Sequence, residues 1–144
     1  MGQAREVMDR LTEALAPTPD LKAIAALFAQ DAVAVTPDAG EITGRDNIVE
    51  YWRQMTDAVS ETTYERVAAY ESGNTAIDEG IFGGRNTGPL QLSSGELLPP
   101  TGNVIRIRGC DFATVQDGLI VNYRVYFNQL DFLEQLGLLP VLPS

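Results

Sequence analysis

The chain has no histidine, one cysteine and one tryptophan, and its 144 residues carry 10 Lys and Arg against 20 Asp and Glu. Without histidine, Ser-His and Cys-His nucleophiles are excluded, and the commonest metal ligand is missing. A zinc site would have to be assembled from Cys110 and carboxylates, so no metal is expected. A lone cysteine forms no internal disulfide, which agrees with a reducing compartment and a cytoplasmic location. The net charge of −10 repels phosphate backbones, so no nucleic-acid partner is expected. No apolar run approaches the ~18 residues of a membrane span, so no membrane partner is expected either. Arg5, Glu6, Asp9, Arg10 and Glu13 interrupt the first apolar residues, which is unlike a signal peptide. No glycine-rich phosphate loop occurs, and Gly83-Gly84 and the stretch from Gly88 to Gly95 read as turn punctuation.

What is present reads as helices first and strands later. Apolar residues at 7, 8, 11, 14 and 15 give a helix from Arg5 to Leu15, ended by Pro17 and Pro19. Asp20 caps a second helix, Leu21 to Ala29, and Ala32 to Thr36 reads as a strand. A third helix spans about Arg45 to Val59, with Ile48, Val49, Trp52 and Met55 on one side. The period then changes to two. Thr63 to Glu71 and Thr75 to Phe82 flank a Ser72-Gly73-Asn74 turn, and Gly83 to Pro100 reads as an exposed loop. Val104 to Val115 and Leu119 to Phe127 form a hairpin. A last helix runs from Gln129 to Gly137, followed by Pro140 and Pro143. The class is α+β, in one domain.

The hairpin is the informative part. One face of its first strand holds Ile105, Ile107, Gly109, Asp111 and Ala113, and the other holds Arg106 and Arg108. On the second strand Val121, Tyr123, Val125 and Phe127 share a face, with Arg124 opposite. A three-residue loop with Gly118 left-handed sets Asp111 opposite Tyr123 on a coherent apolar face. A two-residue loop at Asp117-Gly118 sets Asp111 against Arg124 and mixes the faces. The hydrophobic pattern selects the three-residue loop. Asp111 is then a lone carboxyl on an inward apolar face, where burial raises its pKa and fits it to donate a hydrogen bond or a proton. Asp78 shares the inward parity of its strand and is the second candidate acid or base, and Tyr123 a candidate donor.

The run Leu27-Phe28-Ala29-Gln30-Asp31-Ala32, Gly44-Arg45-Asp46 opening a helix, Pro99-Pro100-Thr101-Gly102 before a strand, and Asp117-Gly118-Leu119-Ile120 together resemble the NTF2-like superfamily. The ending Gln129-Leu130-Asp131-Phe132-Leu133-Glu134-Gln135-Leu136-Gly137-Leu138 looks most like its SnoaL-like polyketide cyclase branch. The resemblance implies a cone of curved antiparallel sheet wrapped around N-terminal helices, with a central apolar pocket, usually no cofactor, and often a homodimer. Polyketide cyclases, ketosteroid isomerases, limonene-epoxide hydrolases and proteins that only bind share this fold.

By that resemblance Asp111 falls where ketosteroid isomerases keep a protonated carboxylic acid. Thr36 falls where they keep their base, Leu11 near their tyrosine donor, Val125 where cyclases and epoxide hydrolases have aspartate, and Asn86 where many relatives have histidine. None of the three catalytic sets is intact. Asp111, Asp78 and Tyr123 are therefore the catalytic candidates, with Thr36, Trp52, Phe82, Ile107, Val125 and Phe127 lining the substrate pocket. Three readings follow: a SnoaL-like enzyme doing acid–base chemistry on a hydrophobic small molecule, a non-catalytic binding module, or a dimerising domain with a filled core. A cavity of roughly 300 Å³ is the size expected of a ligand site.

Overall fold

Apolar spacing builds the helices, and alternation builds one large sheet. The structure is a computed structural model and describes residues 2–92 and 94–137. Two short helices, α1 (Gln3–Leu15) and α2 (Leu21–Leu27), precede β1 (Phe28–Thr36) and β2 (Gly40–Thr43). Helix α3 (Arg45–Ala58) leads into the long strands β3 (Val59–Ser72) and β4 (Thr75–Asn86). A small hairpin, β5 (Leu90–Gln91) and β6 (Leu97–Leu98), separates them from β7 (Val104–Gln116), β8 (Leu119–Phe127) and α4 (Gln129–Gln135). Pro140 and Pro143, expected to follow the last helix, lie outside the described residues.

The Asp20 side chain caps α2 by accepting from the Ala23 N–H at 3.1 Å. That helix is two residues shorter than its pattern suggests. Phe28 and Ala29 already belong to β1, where Phe28 is fully buried in the core. Gly83 and Gly84, expected to break the chain, lie within β4 and pair with Arg106 and Ile105 of β7.

The strand order is β2-β1-β8-β7-β4-β3. The sheet is mixed rather than antiparallel throughout, because β1 runs parallel to β8. The remaining neighbours in it pair antiparallel. Two apolar clusters line its concave side. One gathers Val7, Met8 and Leu11 of α1, Ile24, Phe28, Ile48 and the inward residues Ala113, Val115, Ile120 and Tyr123. The other gathers Ala58, Val59, Ile105, Ile107, Phe132 and Leu136.

Asn86 ties the end of β4 to two other segments. Its Nδ2 donates to the Ala58 and Gly88 carbonyls at 2.9 and 3.1 Å, and its Oδ1 accepts from Thr101 N and Oγ1 at 2.8 and 3.0 Å. The residue is 3% exposed. Asn86→Ala orphans several of these groups away from water and is expected to cost about 2 kcal/mol, read from urea unfolding. A change below a few tenths of a kcal/mol would show that water replaces the amide.

Candidate functional site

The hairpin turn decides what faces the cavity. Asp117 and Gly118 both have positive φ, 52° and 81°, so the loop has two residues and not three. The two-residue loop alone would exchange the faces. A bulge at Val121 restores them, because Val115 pairs with Ile120 while Thr114 pairs with Asn122. Asp111 therefore lies opposite Val125, with Tyr123 as its diagonal neighbour rather than its direct partner. The inward parity expected for Asp111 holds, and the outward residues are Arg106, Arg108 and Arg124. Arg106 and Arg108 pair with Glu65 and Glu79 at 3.3 Å each, and Arg124 lies 5.0 Å over the Phe112 ring.

Between the two apolar clusters is a cavity of about 140 Å³, lined on one side by Trp52, Tyr123 and Val125 and on the other by Met55, Phe82, Ile107, Phe127 and Phe132. It is smaller than the roughly 300 Å³ of a typical ligand site, and in size alone it leans toward the filled-core reading. It is close to the roughly 150 Å³ that encloses one benzene ring. Asp111 is the one charged side chain among its lining residues. The Tyr123 hydroxyl donates to Asp111 Oδ2 at 2.7 Å, and no other side chain among the described residues donates to that carboxyl. Burial pushes Asp111 up to about 6; the Tyr123 hydrogen bond opposes the shift and the nearby Asp78 carboxylate adds to it. Burial raises Tyr123 well above an ordinary phenol, with Asp111 adding to the shift.

Asp78 sits directly across the strand pair from Asp111 but does not line the cavity. It is 1% exposed and held by Arg5, with Nη1 2.7 Å from Oδ1 and Nη2 donating to Oδ2 at 3.0 Å. Arg66 reaches Oδ2 at 3.4 Å, and Asp9 pairs with both arginines at 2.9 and 2.7 Å. Burial alone would lower Arg5; its hydrogen bonds and charge pairing with Asp78 and Asp9 raise it instead. Asp78 is thus the buried anchor of an ion network behind the wall. Arg5 flanks the apolar stripe of α1, and that position is the one sequence signal for this pairing.

Of the expected lining residues, Trp52, Phe82, Ile107, Val125 and Phe127 surround the cavity and Thr36 does not. Thr36 is 4% exposed and its Oγ1 accepts from the Ala39 N–H at 2.9 Å, closing the β1–β2 turn. The helical period did not single out Tyr51, which lines the cavity and donates to Asp38 Oδ1 at 3.0 Å. Tyr64 also lines it. Its ring occupies the space left by Gly80, where any Cβ would collide with the phenol. Gly80 in turn faces Gly109 across the strands, so the sheet is thinnest next to Asp111. Among the described residues there is no cluster of three potential metal ligands, and no helix is long and apolar enough to cross a membrane.

No curated protein matches the chain. Solved structures do. A protein from Jannaschia sp. CCS1 described as a SnoaL-like polyketide cyclase superposes with a TM-score of 0.83 at 14% identity, over 96% of this chain and 94% of that one. A hypothetical protein with a ketosteroid isomerase-like fold from Catenulispora acidiphila, in complex with trimethylamine, gives 0.74 at 22% identity over 92% and 93%. An LEH-like epoxide hydrolase from M. tuberculosis gives 0.70 at 19% identity over 93% and 89%. At these identities the likeness is one of fold: the α+β, NTF2-like cone. The family model of the SnoaL-like domain matches residues 8–123, and with four-fifths of its length so accounted for the chain belongs to the SnoaL-like family.

Proposed function

We propose that this protein is an acid–base enzyme of the cyclase and isomerase kind, acting without a cofactor on a compact hydrophobic molecule. The reaction class is ring closure, isomerisation or epoxide opening. One observation carries the reading: a single carboxyl, Asp111, lies in an apolar cavity with its pKa near 6 and one oxygen held by Tyr123 at 2.7 Å. A carboxyl that titrates near neutrality both accepts and returns a proton efficiently. The orientation set by Tyr123 leaves Oδ1 for the substrate. Asp78, tied to Arg5, takes no proton from substrate on this reading; its charge, across the strand pair, helps to hold the proton on Asp111.

The chemistry can be read without the natural substrate. A base of this kind removes an α-proton from a bound ketone, and in D₂O returns a deuteron. We expect deuterium incorporation into single-ring ketones above the buffer rate. Ketones that bind without exchanging would leave the protein a binding module. The confinement of Asp78 behind the wall is the observation that favours that second reading.

The homodimer belongs to the same proposal. The outer face of the sheet exposes Tyr70, Val104 and Tyr126 beside the Glu65–Arg106 and Glu79–Arg108 pairs. Apolar area with both signs of charge suits a self-complementary two-fold contact. Light scattering at micromolar concentration should return twice the chain mass. The mass of one chain would remove the dimer and leave the pocket untouched.

A further inference from the structure

Most donors in the cavity wall are already spent. The Tyr123 hydroxyl donates to Asp111 at 2.7 Å and that of Tyr51 to Asp38 at 3.0 Å. Each phenol has one proton to give. Thr12, Thr56 and Thr62 donate to backbone carbonyls at 3.1, 3.0 and 2.7 Å. Trp52 Nε1 is closed off from solvent, and the Cys110 thiol is a weak donor. Tyr64 is left. Among the described residues nothing accepts from its hydroxyl, which stays open to solvent.

Strand pairing aims that hydroxyl into the cavity. Tyr64 pairs with Phe82, a wall residue, so the two side chains share the concave face of the sheet. The Tyr64 ring leans along β4 onto Gly80, the next residue of that face. A Cβ at Gly80 would fall on the phenol oxygen itself, so the hydroxyl lies where the wall has no side chain. Gly80 and Gly109, which faces it, both line the cavity. Asp111 is the next inward residue of β7 and lies diagonal to Gly80. Such diagonal neighbours are roughly 7–8 Å apart, so one small molecule reaches both the hydroxyl and the carboxyl. Burial raises the Tyr64 phenol, and the charges of Asp111 and Asp78 raise it further against Arg66 and Arg5. The phenol therefore keeps its proton near neutral pH and acts as a neutral donor.

We infer that the Tyr64 hydroxyl is the hydrogen-bond donor to the substrate oxygen, and that it makes this pocket selective for a small ring ketone. The inference rests on the acid–base reading above and adds to it the group that recognises the oxygen. Asp111 takes the α-proton through Oδ1. The C–H electron pair becomes the C=C bond of an enolate, and the carbonyl π pair moves onto oxygen. Tyr64 holds that oxygen without giving up its own proton. Return of the proton from Asp111 to carbon restores the ketone and the carboxylate. A hydrocarbon of the same shape displaces water from the hydroxyl and offers no acceptor in exchange, so it is bound less well.

Cyclohexanone and methylenecyclohexane have nearly the same shape and differ in the acceptor. Wild type should bind cyclohexanone about tenfold more tightly than the hydrocarbon, the size of one hydrogen bond. Cyclohexanone labelled with ¹³C at the carbonyl should move downfield on binding, as a carbonyl does when it accepts a hydrogen bond. Tyr64→Phe keeps the ring and removes the hydroxyl. In that variant, checked by its amide spectrum for folding, the preference should fall close to onefold and the carbonyl shift should be lost, while the hydrocarbon binds as before. Exchange of the α-hydrogens in D₂O should fall about a hundredfold, the usual cost of one oxyanion donor. The binding readouts need no turnover. If Tyr64→Phe keeps both the preference and the carbonyl shift, Tyr64 is no donor while the pocket reading stands. If neither compound shifts the amides of Ile107, Val125 and Phe127 at millimolar concentration, the pocket reading and this inference fall together.

Discussion

Asp111→Asn is expected to reduce α-proton exchange by about a hundredfold or more, the usual contribution of a positioned general base, and at the same time to make the protein more stable. Asn keeps the shape and can accept the Tyr123 hydrogen bond, so the pocket is preserved. The stability gain follows from linkage. The folded-state pKa of Asp111 is about 6, raised from an ordinary value of 3.8. The native state therefore binds this proton more tightly than the unfolded chain does. Between those two values the contribution of this group to stability falls as pH rises, and above about 6 the full cost of holding a buried carboxylate is present. A shift of that size corresponds to about 3 kcal/mol. Urea unfolding at pH 7 to 8 should show Asp111→Asn to be more stable than wild type by up to that amount, with the difference closing below pH 4. The exchange rate of wild type should climb with pH and level off above about 6. An Asn variant with unchanged exchange and unchanged stability would place this carboxyl outside both the mechanism and the apolar environment.

Removing Arg5 has the opposite sign. Arg5→Met takes the principal counter-charge from Asp78, which is 1% exposed. Breaking a buried pair from one side costs about 3–5 kcal/mol, because a charge is left without a partner. Arg66 stays at 3.4 Å from Asp78 Oδ2, which puts the expected loss near about 3 kcal/mol. Replacing both partners, Arg5→Met with Asp78→Leu, should recover most of that loss, since neither charge then needs solvating. The double-mutant cycle separates the pair from its surroundings. Equal destabilisation in the single and the double variant would show that packing of the Arg5 side chain, rather than its charge, supports α1. Arg5 also tempers Asp111, whose pKa it lowers while Asp78 raises it. Arg5→Met should therefore move the Asp111 titration upward, and the double variant should bring it back.

Local pattern and long-range pairing were not equally legible. The inward face of β7 could be read directly, since alternation fixes which side chains share a side. The register with β8 could not. A bulge at Val121 needs no special residue, and a two-residue turn plus one bulge returns the same parity as a three-residue turn. The parity of Asp78 was correct, but its role depends on Arg5, 73 residues away, which only the tertiary fold brings to it. Trp52 and Phe127 were legible because each lies on an apolar stripe of one element. Thr36 was placed by resemblance alone, and the short β2 strand draws its hydroxyl into a turn. Asn86 looked like a substituted catalytic position and is a structural clamp. Its partners, Ala58, Gly88 and Thr101, come from both sides of a segment that reads as loop.

All of the chemistry depends on one carboxyl group being kept from water by its neighbours. Carbonyl-detected NMR of the Asp111 side chain, followed from pH 3 to 9 in the intact protein, measures that without any ligand. A midpoint near 6 that drops when polar solvent is admitted by Phe127→Ala agrees with the account; a midpoint at an ordinary aspartate value, near 3.8, contradicts it.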